Sequence, residues 1–481
     1  MTGKGKTPAK CSSSGRKQTE QKSAKRTDSH TPTQTKSTTW TPATAQGKTC
    51  GRGGRAKSPV QKVTSNPPAG SGKGARSKGQ SPIRPAGGAE RPRAKSPPPP
   101  SKPHIQRGSS KDDDLSRGLQ KTLGQLTIRR DARSKAAKIK NEVVEKIKTH
   151  LERSRNFKDI ETLPTGSYFE NLKISNPDEF DVMFTTCVER VDVQPFGSDG
   201  AYYSVKFKRH PQKHVLDDFL TKDDVLCASS MMKQFRSEVK TAIKDIQIEG
   251  NLKMEPRKPK CPAVTLTLTV DKKEISIDIV LGIEVKGTWP LCAKDGMNIE
   301  KWLSKKVKRE LKYKPYYLVP KHEGSANKEE DGVLAKDVWR ISFSHVEKYI
   351  MKNHGKEKTC CEEKGPKCCR KQCLKLLKHL LSELKAKHET ELSKFCSYHA
   401  KTTLLHACTE RTEDSEWKLS DLHDCFQLLL QDFVACLRQR QLPNFFIPTH
   451  NLLGSVSAES CKKLADYIEH QRNNRFPIFQ K

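Results

Sequence analysis

Two hydrophobic periods divide this chain. Between Arg129 and Lys158, Ala136, Ile139, Val143, Ile147 and Leu151 recur at spacings of three and four, the stripe of an amphipathic helix. Farther along, apolar positions alternate instead. "EFDVMFTTC" sets Phe180, Val182 and Phe184 on one face, and "AVTLTLTV" and "EISIDIVL" alternate on either side of a "DKK" that suits a hairpin. From about residue 295 the spacing turns mostly helical, in "VWRISFSHVEKYIMKN", "CLKLLKHLLSELKAKH", "KFCSYHAKTTLLHAC" and "DLHDCFQLLLQDFVACLRQR". These patterns predict an α+β fold, with a mixed β-sheet lobe followed by a helical C-terminal lobe. A cleft between lobes is a common ligand site. No internal repeat is visible.

Composition changes the picture at the N-terminus. Residues 1–110 hold 23 Lys and Arg against three acids, Glu20, Asp28 and Glu90. Apolar residues are too sparse there to offset chain entropy, so residues 1–112 are expected to be a disordered basic tail. Order is expected to begin near "KDDDLSRGLQKTL", whose aspartates suit a helix N-terminus. A sheet-bearing lobe is then expected over 113–285 and a helical lobe over 286–481. The whole chain carries a formal charge of +34. A polyanion partner follows, because each neutralised phosphate releases condensed counterions. Nucleic acid is the first candidate and an anionic membrane surface the second. The N-terminus lacks the apolar core of a signal peptide, and no apolar run approaches a bilayer span. A cytoplasmic or nuclear protein is therefore expected, with its sixteen cysteines as thiols or metal ligands rather than disulfides.

Candidate chemistry begins with acids. "TGSYFENLKISNPDEFDVMF" joins a Gly-Ser turn to Glu179 and Asp181. Two apart on a strand, they face one side, roughly 6.6 Å apart at the backbone. In "EISIDIVL", Ile275, Ile277 and Ile279 share one face and Asp278 takes the other. If the two strands adjoin, Glu179, Asp181 and Asp278 converge. Three such acids suit two divalent cations, Mg²⁺ above all, which activate a hydroxyl and stabilise leaving pyrophosphate. Gly166 and Ser167 would bring backbone N–H groups and a hydroxyl to a triphosphate. The solvent-facing alternative for Glu179 and Asp181 is an edge strand with no metal.

A second concentration of chemistry is "HGKEKTCCEEKGPKCC", residues 354–369, with one histidine and four cysteines. From the residues alone it is a disulfide knot, a metal site or a cysteine-rich loop. Glu347 to Lys378 holds ten basic and four acidic residues, so whatever fixes the loop also fixes cations.

The Gly-Ser turn with its acid pair resembles the nucleotidyltransferase superfamily. Within its male-abnormal-21-like members, the chain is most similar to the cyclic GMP-AMP synthase family. The likeness covers about residues 115–481 and rests on "TGSYFENLKIS", "EFDVMF", "AYYSVKFKR", "YYLVPKH", "WRISFSHVEK", "NHGKEKTCC", "CCRKQCLKLLK" and "NRFPIF". It implies an enzyme that binds double-stranded DNA and cyclises ATP and GTP into a mixed-linkage second messenger of innate immunity. It implies that Glu179, Asp181 and Asp278 hold Mg²⁺ or Mn²⁺, and that Thr165 and Ser167 line the nucleotide site. Arg340, Ser342, Ser344 and Glu347 would contact bases and phosphates. Tyr398 would stack on a purine, with Lys378, Ser397 and Lys401 near phosphate.

The same resemblance implies that His354, Cys360, Cys361 and Cys368 bind a structural Zn²⁺ in a thumb over residues 354–373, leaving Cys369 and Cys373 over. N/S₃ coordination with no open position is structural rather than catalytic. The DNA surface would combine this loop with Arg129, Arg130, Lys321, Lys348, Lys358, Lys371 and Lys375. Lys358 and Glu362 would pair across two copies in a two-protein, two-DNA assembly, and the tail would add chromatin or anionic-membrane contacts. Pro164 stands before Thr165 where some relatives carry a polar residue. Two other readings are weighed: a non-catalytic zinc-containing DNA- or chromatin-binding protein, and an RNA-activated oligoadenylate synthetase-like enzyme. The intact acid trio opposes the first and the His-Cys-Cys-Cys insertion the second.

Overall fold

The computed structural model describes residues 110–481, apart from 129, 175–177, 209–213, 259–260, 323, 358–359, 362–364 and 481. The tail expected over 1–112 therefore lies outside the described residues up to 109, and its last three residues belong to the first helix.

That helix, α1 (Ser110–Gln125), precedes α2 (Arg130–Leu151). Val143, Ile147 and Leu151 are fully buried and Ala136 nearly so, so the predicted stripe is the packed face of α2. The sheet begins with β1 (Glu161–Thr165), a single helical turn α3 (Gly166–Phe169) and β2 (Glu179–Val188). Next come β3 (Val191–Phe196), β4 (Tyr202–Phe207) and helix α4 (Ala228–Asp245). β5 (Asn251–Met254), β6 (Ala263–Val270) and β7 (Lys273–Val285) follow. The predicted hairpin joins β6 to β7 through Asp271 and Lys272, whose φ values of 49° and 64° are those a two-residue hairpin turn requires.

From about residue 295 the chain is mostly helical, as expected, with one correction: two strands of the main sheet lie in this stretch. After α5 (Lys305–Lys312) the chain returns to the sheet with β8 (Tyr316–Pro320) and β11 (Trp339–Ser342), with a small ribbon, β9 (Glu329–Glu330) and β10 (Val333–Leu334), between them. "VWRISFSHVEKYIMKN" is thus strand first and helix second, α6 covering Ser344–Lys352. The strand is too short to show a period of two before the helical spacing takes over. The main sheet runs β1-β2-β7-β8-β11-β4-β3, with β6 beside β7 and β5 beside β6.

The remainder is helical: α7 (Arg370–Lys387), α8 (Glu389–Leu392), α9 (Ser397–Glu410), α10 (Leu422–Gln439) and α11 (Ala458–Asn473). α7, α9 and α11 pack on α10, and α1 packs on α7 and α10 although it precedes the sheet in sequence. One continuous apolar core runs from Val143 and Ile147 through the sheet to Leu429 and Phe433. Among the described residues, no helix is long and apolar enough to cross a membrane.

Candidate active site and metal centre

β2 and β7 are adjacent and parallel, with Asp181 opposite Asp278 and Glu179 opposite Ser276. Phe180, Val182 and Phe184 are buried on the far face of β2, as are Ile275, Ile277 and Ile279 on β7. The apolar faces fix the pleat, so the two aspartates emerge side by side. Burial, then the neighbouring Asp278 and Glu179 carboxylates, pushes Asp181 up from 3.8 to about 6. A carboxylate held against like charge in a low-dielectric site suits a divalent cation.

Other strands complete the frame. β6 lies on the other side of β7 and sets Thr265 opposite Asp278; its hydroxyl donates to Asp278 Oδ1 at 2.6 Å. β1 pairs with β2 and puts Thr165 opposite Asp181. Gly166 follows at φ +78°, and a Cβ there would stand 2.0 Å from Asp181 Oδ2. Only glycine lets the turn pass this close to Asp181, with Ser167 next in the chain. Glu179 is directed otherwise: its carboxylate pairs with Lys173 Nζ. Asp181 and Asp278 stand side by side, and Glu179, though paired with Lys173, stays near enough for its charge to raise Asp181.

The expected nucleotide residues gather around α6 and α9. Arg340 and Ser342 lie on β11, and Ser344 opens α6. The buried Ser344 hydroxyl has no hydrogen-bond partner, an open polar position that suits a ligand. Lys401 Nζ donates to Glu347 Oε2 at 2.9 Å and to Glu170 at 2.8 Å. The Tyr398 hydroxyl donates to Glu347 Oε1 at 3.1 Å. Both carboxylates hold the Lys401 ammonium above its usual range despite burial. Lys378 Nζ donates to the Leu172 carbonyl at 2.8 Å, and burial pushes its pKa down to about 8. Ser397 is exposed at the start of α9. Glu170, which sequence reasoning passed over, is buried at the end of α3.

His354, Cys360, Cys361 and Cys368 offer ligand atoms all within 4.8 Å of one another. Cys368 Sγ lies 3.2 Å from His354 Nε2 and 3.7 Å from Cys361 Sγ. His354 Nδ1 lies 2.9 Å from the Met351 carbonyl; donation there leaves Nε2 as the ligating nitrogen. The Cys360 thiol and His354 draw Cys368 down to about 3, so thiolate, the metal-binding form, is favoured. Gly355 permits the fold, since a Cβ there would meet Cys360 Cβ at 2.0 Å. Asp414 accepts from the backbone N–H groups of Lys356 and Glu357 at 3.1 and 2.9 Å, and from Arg370 Nη1 at 2.7 Å. Arg370 is 1% exposed and lies over Trp417. These anchors carry no local sequence signal, since Asp414 is 44 residues from Arg370. Cys369 and Cys373 are buried outside the four-ligand group, Cys369 beside Cys373 and Cys425.

Of the residues assigned to DNA, Arg129 and Lys358 lie outside the described residues, as does Glu362, and Arg130 opens α2. Lys348 is half-buried, its Nζ donating to the Pro164 carbonyl at 3.0 Å and lying 5.3 Å from the Phe169 ring centre. Lys371 is half-buried, and burial lowers its pKa. Lys321 and Lys375 are also half-buried.

Two domain families match the chain: the Mab-21 protein nucleotidyltransferase domain over residues 168–353 and the Mab-21 protein HhH/H2TH-like domain over residues 369–470. The mouse protein named cyclic GMP-AMP synthase is 45% identical over 382 residues, 79% of this chain and 73% of the relative. The pig protein of the same name is 45% identical over 368 residues, 75% and 72% of the two chains. This chain belongs to the cyclic GMP-AMP synthase family of Mab-21 nucleotidyltransferases. It is a nucleotidyltransferase, as the matched catalytic domain holds Glu179, Asp181 and Asp278. A cyclic GMP-AMP synthase-like receptor of Magallana gigas is 26% identical over 340 residues, 68% of this chain and 54% of the relative. His354, Cys360, Cys361 and Cys368 fall between the two matched domains. The cluster therefore lies outside both matched domains.

Proposed function

We propose that this enzyme is activated by double-stranded DNA to join ATP and GTP into 2′,3′-cyclic GMP-AMP, a second messenger of innate immunity. The observation that carries the reading is the Asp181–Asp278 register at a Gly-Ser turn, in a chain 45% identical to proteins named for that synthesis. Mg²⁺ or Mn²⁺ bound by Asp181, Asp278 and Glu179 supplies charge neutralisation at the attacking hydroxyl and the pyrophosphate. The chain's own residues do the placing. Gly166 and Ser167 offer N–H and hydroxyl groups to phosphate, with Thr165 beside them. Arg340, Ser342, Ser344, Glu347 and Ser397 line the base and phosphate positions. Tyr398 supplies a ring for a purine, and Lys378 and Lys401 supply cations for phosphate.

Zn²⁺ held by His354, Cys360, Cys361 and Cys368 is structural, since the four side chains leave no open position. It fixes a basic loop that, with Arg129, Arg130, Lys321, Lys348, Lys358, Lys371 and Lys375, contacts phosphates without reading sequence. Two protein copies sharing two DNA duplexes, the Lys358–Glu362 pair between them, belong to the same reading. So do cytoplasmic and nuclear location and contacts of the basic tail with chromatin or anionic membrane.

The test is product analysis with ATP, GTP and Mg²⁺, each nucleotide omitted in turn, with double-stranded DNA, double-stranded RNA or neither. A cyclic mixed dinucleotide made only with both nucleotides and DNA supports the reading. Linear oligoadenylate with RNA supports the oligoadenylate synthetase reading, and DNA binding without product a non-catalytic module.

A further inference from the structure

Asp278 belongs to a row of residues that crosses the sheet. The register places Asp181 of β2 on one side of it and Thr265 of β6 on the other. Register partners share a face of the sheet, so a hydroxyl stands against Asp278 on the side away from Asp181. The Thr265 hydroxyl donates to Asp278 Oδ1 at 2.6 Å, the length of a charge-assisted O–H···O⁻ bond. The next row differs. Thr267, two positions along β6, faces Ser276 and gives its hydroxyl to Glu255 Oε1 at 2.8 Å.

β6 is held so that Thr265 cannot turn away. Val264, Leu266 and Leu268 are fully buried on its other face, which fixes the pleat. The Thr265 carbonyl accepts from the Glu255 N–H at 2.9 Å, and the Glu255 carbonyl accepts from Arg236 Nη2 of α4 at 2.5 Å. The β-branched side chain adds a stiff χ1. One oxygen of Asp278 is thereby engaged from behind, and the carboxylate is oriented by the fold itself.

We propose that Thr265 is a positioning residue for nucleotidyl transfer, its hydroxyl holding the Asp278 carboxylate in the orientation that takes a divalent cation together with Asp181. This rests on the reading above that the two aspartates bind Mg²⁺ or Mn²⁺. Partners that orient a metal-ligating side chain are typically worth about 10–100-fold in metal affinity or activity. Thr267 lies on the same face of the same strand, but its hydroxyl serves Glu255. The two threonines therefore separate an effect on Asp278 from a general loosening of β6.

The experiment compares wild type with Thr265→Val, which keeps the branched shape and removes the donor, with Thr265→Ser, which keeps the donor, and with Thr267→Val. Mn²⁺ affinity of the full chain is titrated by electron paramagnetic resonance. The half-saturating Mg²⁺ concentration for synthesis is measured with ATP, GTP and double-stranded DNA. Thr265→Val should weaken Mn²⁺ binding and raise half-saturating Mg²⁺ at least about tenfold, with DNA affinity unchanged. Thr265→Ser and Thr267→Val should match wild type in both metal readouts. Wild-type Mn²⁺ affinity in Thr265→Val overturns the proposal. So does a loss in Thr265→Ser or Thr267→Val as large as that in Thr265→Val, which would make the effect one of packing. If Thr265→Val does not fold, Thr265→Ala must show the same loss of Mn²⁺ affinity or the proposal fails. Mn²⁺ affinity that Asp181→Asn leaves unchanged would contradict the metal-binding reading itself, whatever the threonine variants do.

Discussion

Asp181 and Asp278 are register partners on adjacent parallel strands, 97 positions apart in sequence and side by side in the sheet. Burial and that neighbour hold Asp181 at about 6, above its ordinary 3.8. A carboxyl with a raised folded pKa favours the fold when protonated, so stability falls as pH rises from about 4 to about 6 and is flat above. With a chelator present at pH 7.5, Asp181→Asn should therefore be more stable than wild type by about 1–3 kcal/mol, at about 1.4 kcal/mol per pKa unit. Mg²⁺ should raise the melting temperature of wild type more than that of the variant. Thermal melts across pH 4–8 check this, and a variant less stable than wild type at pH 7.5 contradicts it.

Gly166→Ala tests the turn. Its Cβ would meet Asp181 Oδ2 at 2.0 Å in a backbone at φ +78°. Such strain costs about 1–3 kcal/mol, relieved by moving the carboxylate. kcat should fall at least about a hundredfold, since a misplacement of about 1 Å costs that much. DNA affinity, measured by titration, should hold.

At the metal cluster, Cys368→Ala should lose zinc and DNA-stimulated synthesis while circular dichroism of the body is preserved. Cys369→Ala should keep zinc, because Cys369 lies outside the ligand group beside Cys373 and Cys425. Metal content by mass spectrometry separates the two. Equal zinc loss would make Cys369 a ligand.

Asp414→Ala should weaken the thumb from behind. It removes the carboxylate that accepts from two backbone N–H groups and leaves the 1%-exposed Arg370 guanidinium without its partner. Breaking a buried pair costs about 3–5 kcal/mol. The melting temperature should drop, and zinc should be released at lower chelator concentration than from wild type.

The acid phasing on β2 and β7 was legible because apolar alternation fixes which face each carboxylate takes. Their adjacency was only a condition, because nothing local says which strands pair. The two-residue turn at Asp271 and Lys272 did determine that Thr265 faces Asp278, a partner the hairpin register could have named. β8 and β11 escaped notice because short, fully flanked strands show little alternation. Glu170 and Lys401 are 231 residues apart, so their pairing is a property of the packed core alone. Glu179's pairing with Lys173 likewise depends on where the loop between α3 and β2 returns.

The most direct measurement of the central claim uses Glu179→Gln with Asp181→Asn in one protein. Synthesis from ATP and GTP with Mg²⁺ and double-stranded DNA is followed by product separation, and DNA affinity is titrated on the same sample. On the proposed function the acids would stabilise transition-state charge through the cations, while phosphate contacts to DNA would lie elsewhere. The account predicts DNA-dependent cyclic GMP-AMP from wild type, none from the double variant, and DNA affinity within about twofold between them. Cyclic product from the double variant at the wild-type rate would contradict it.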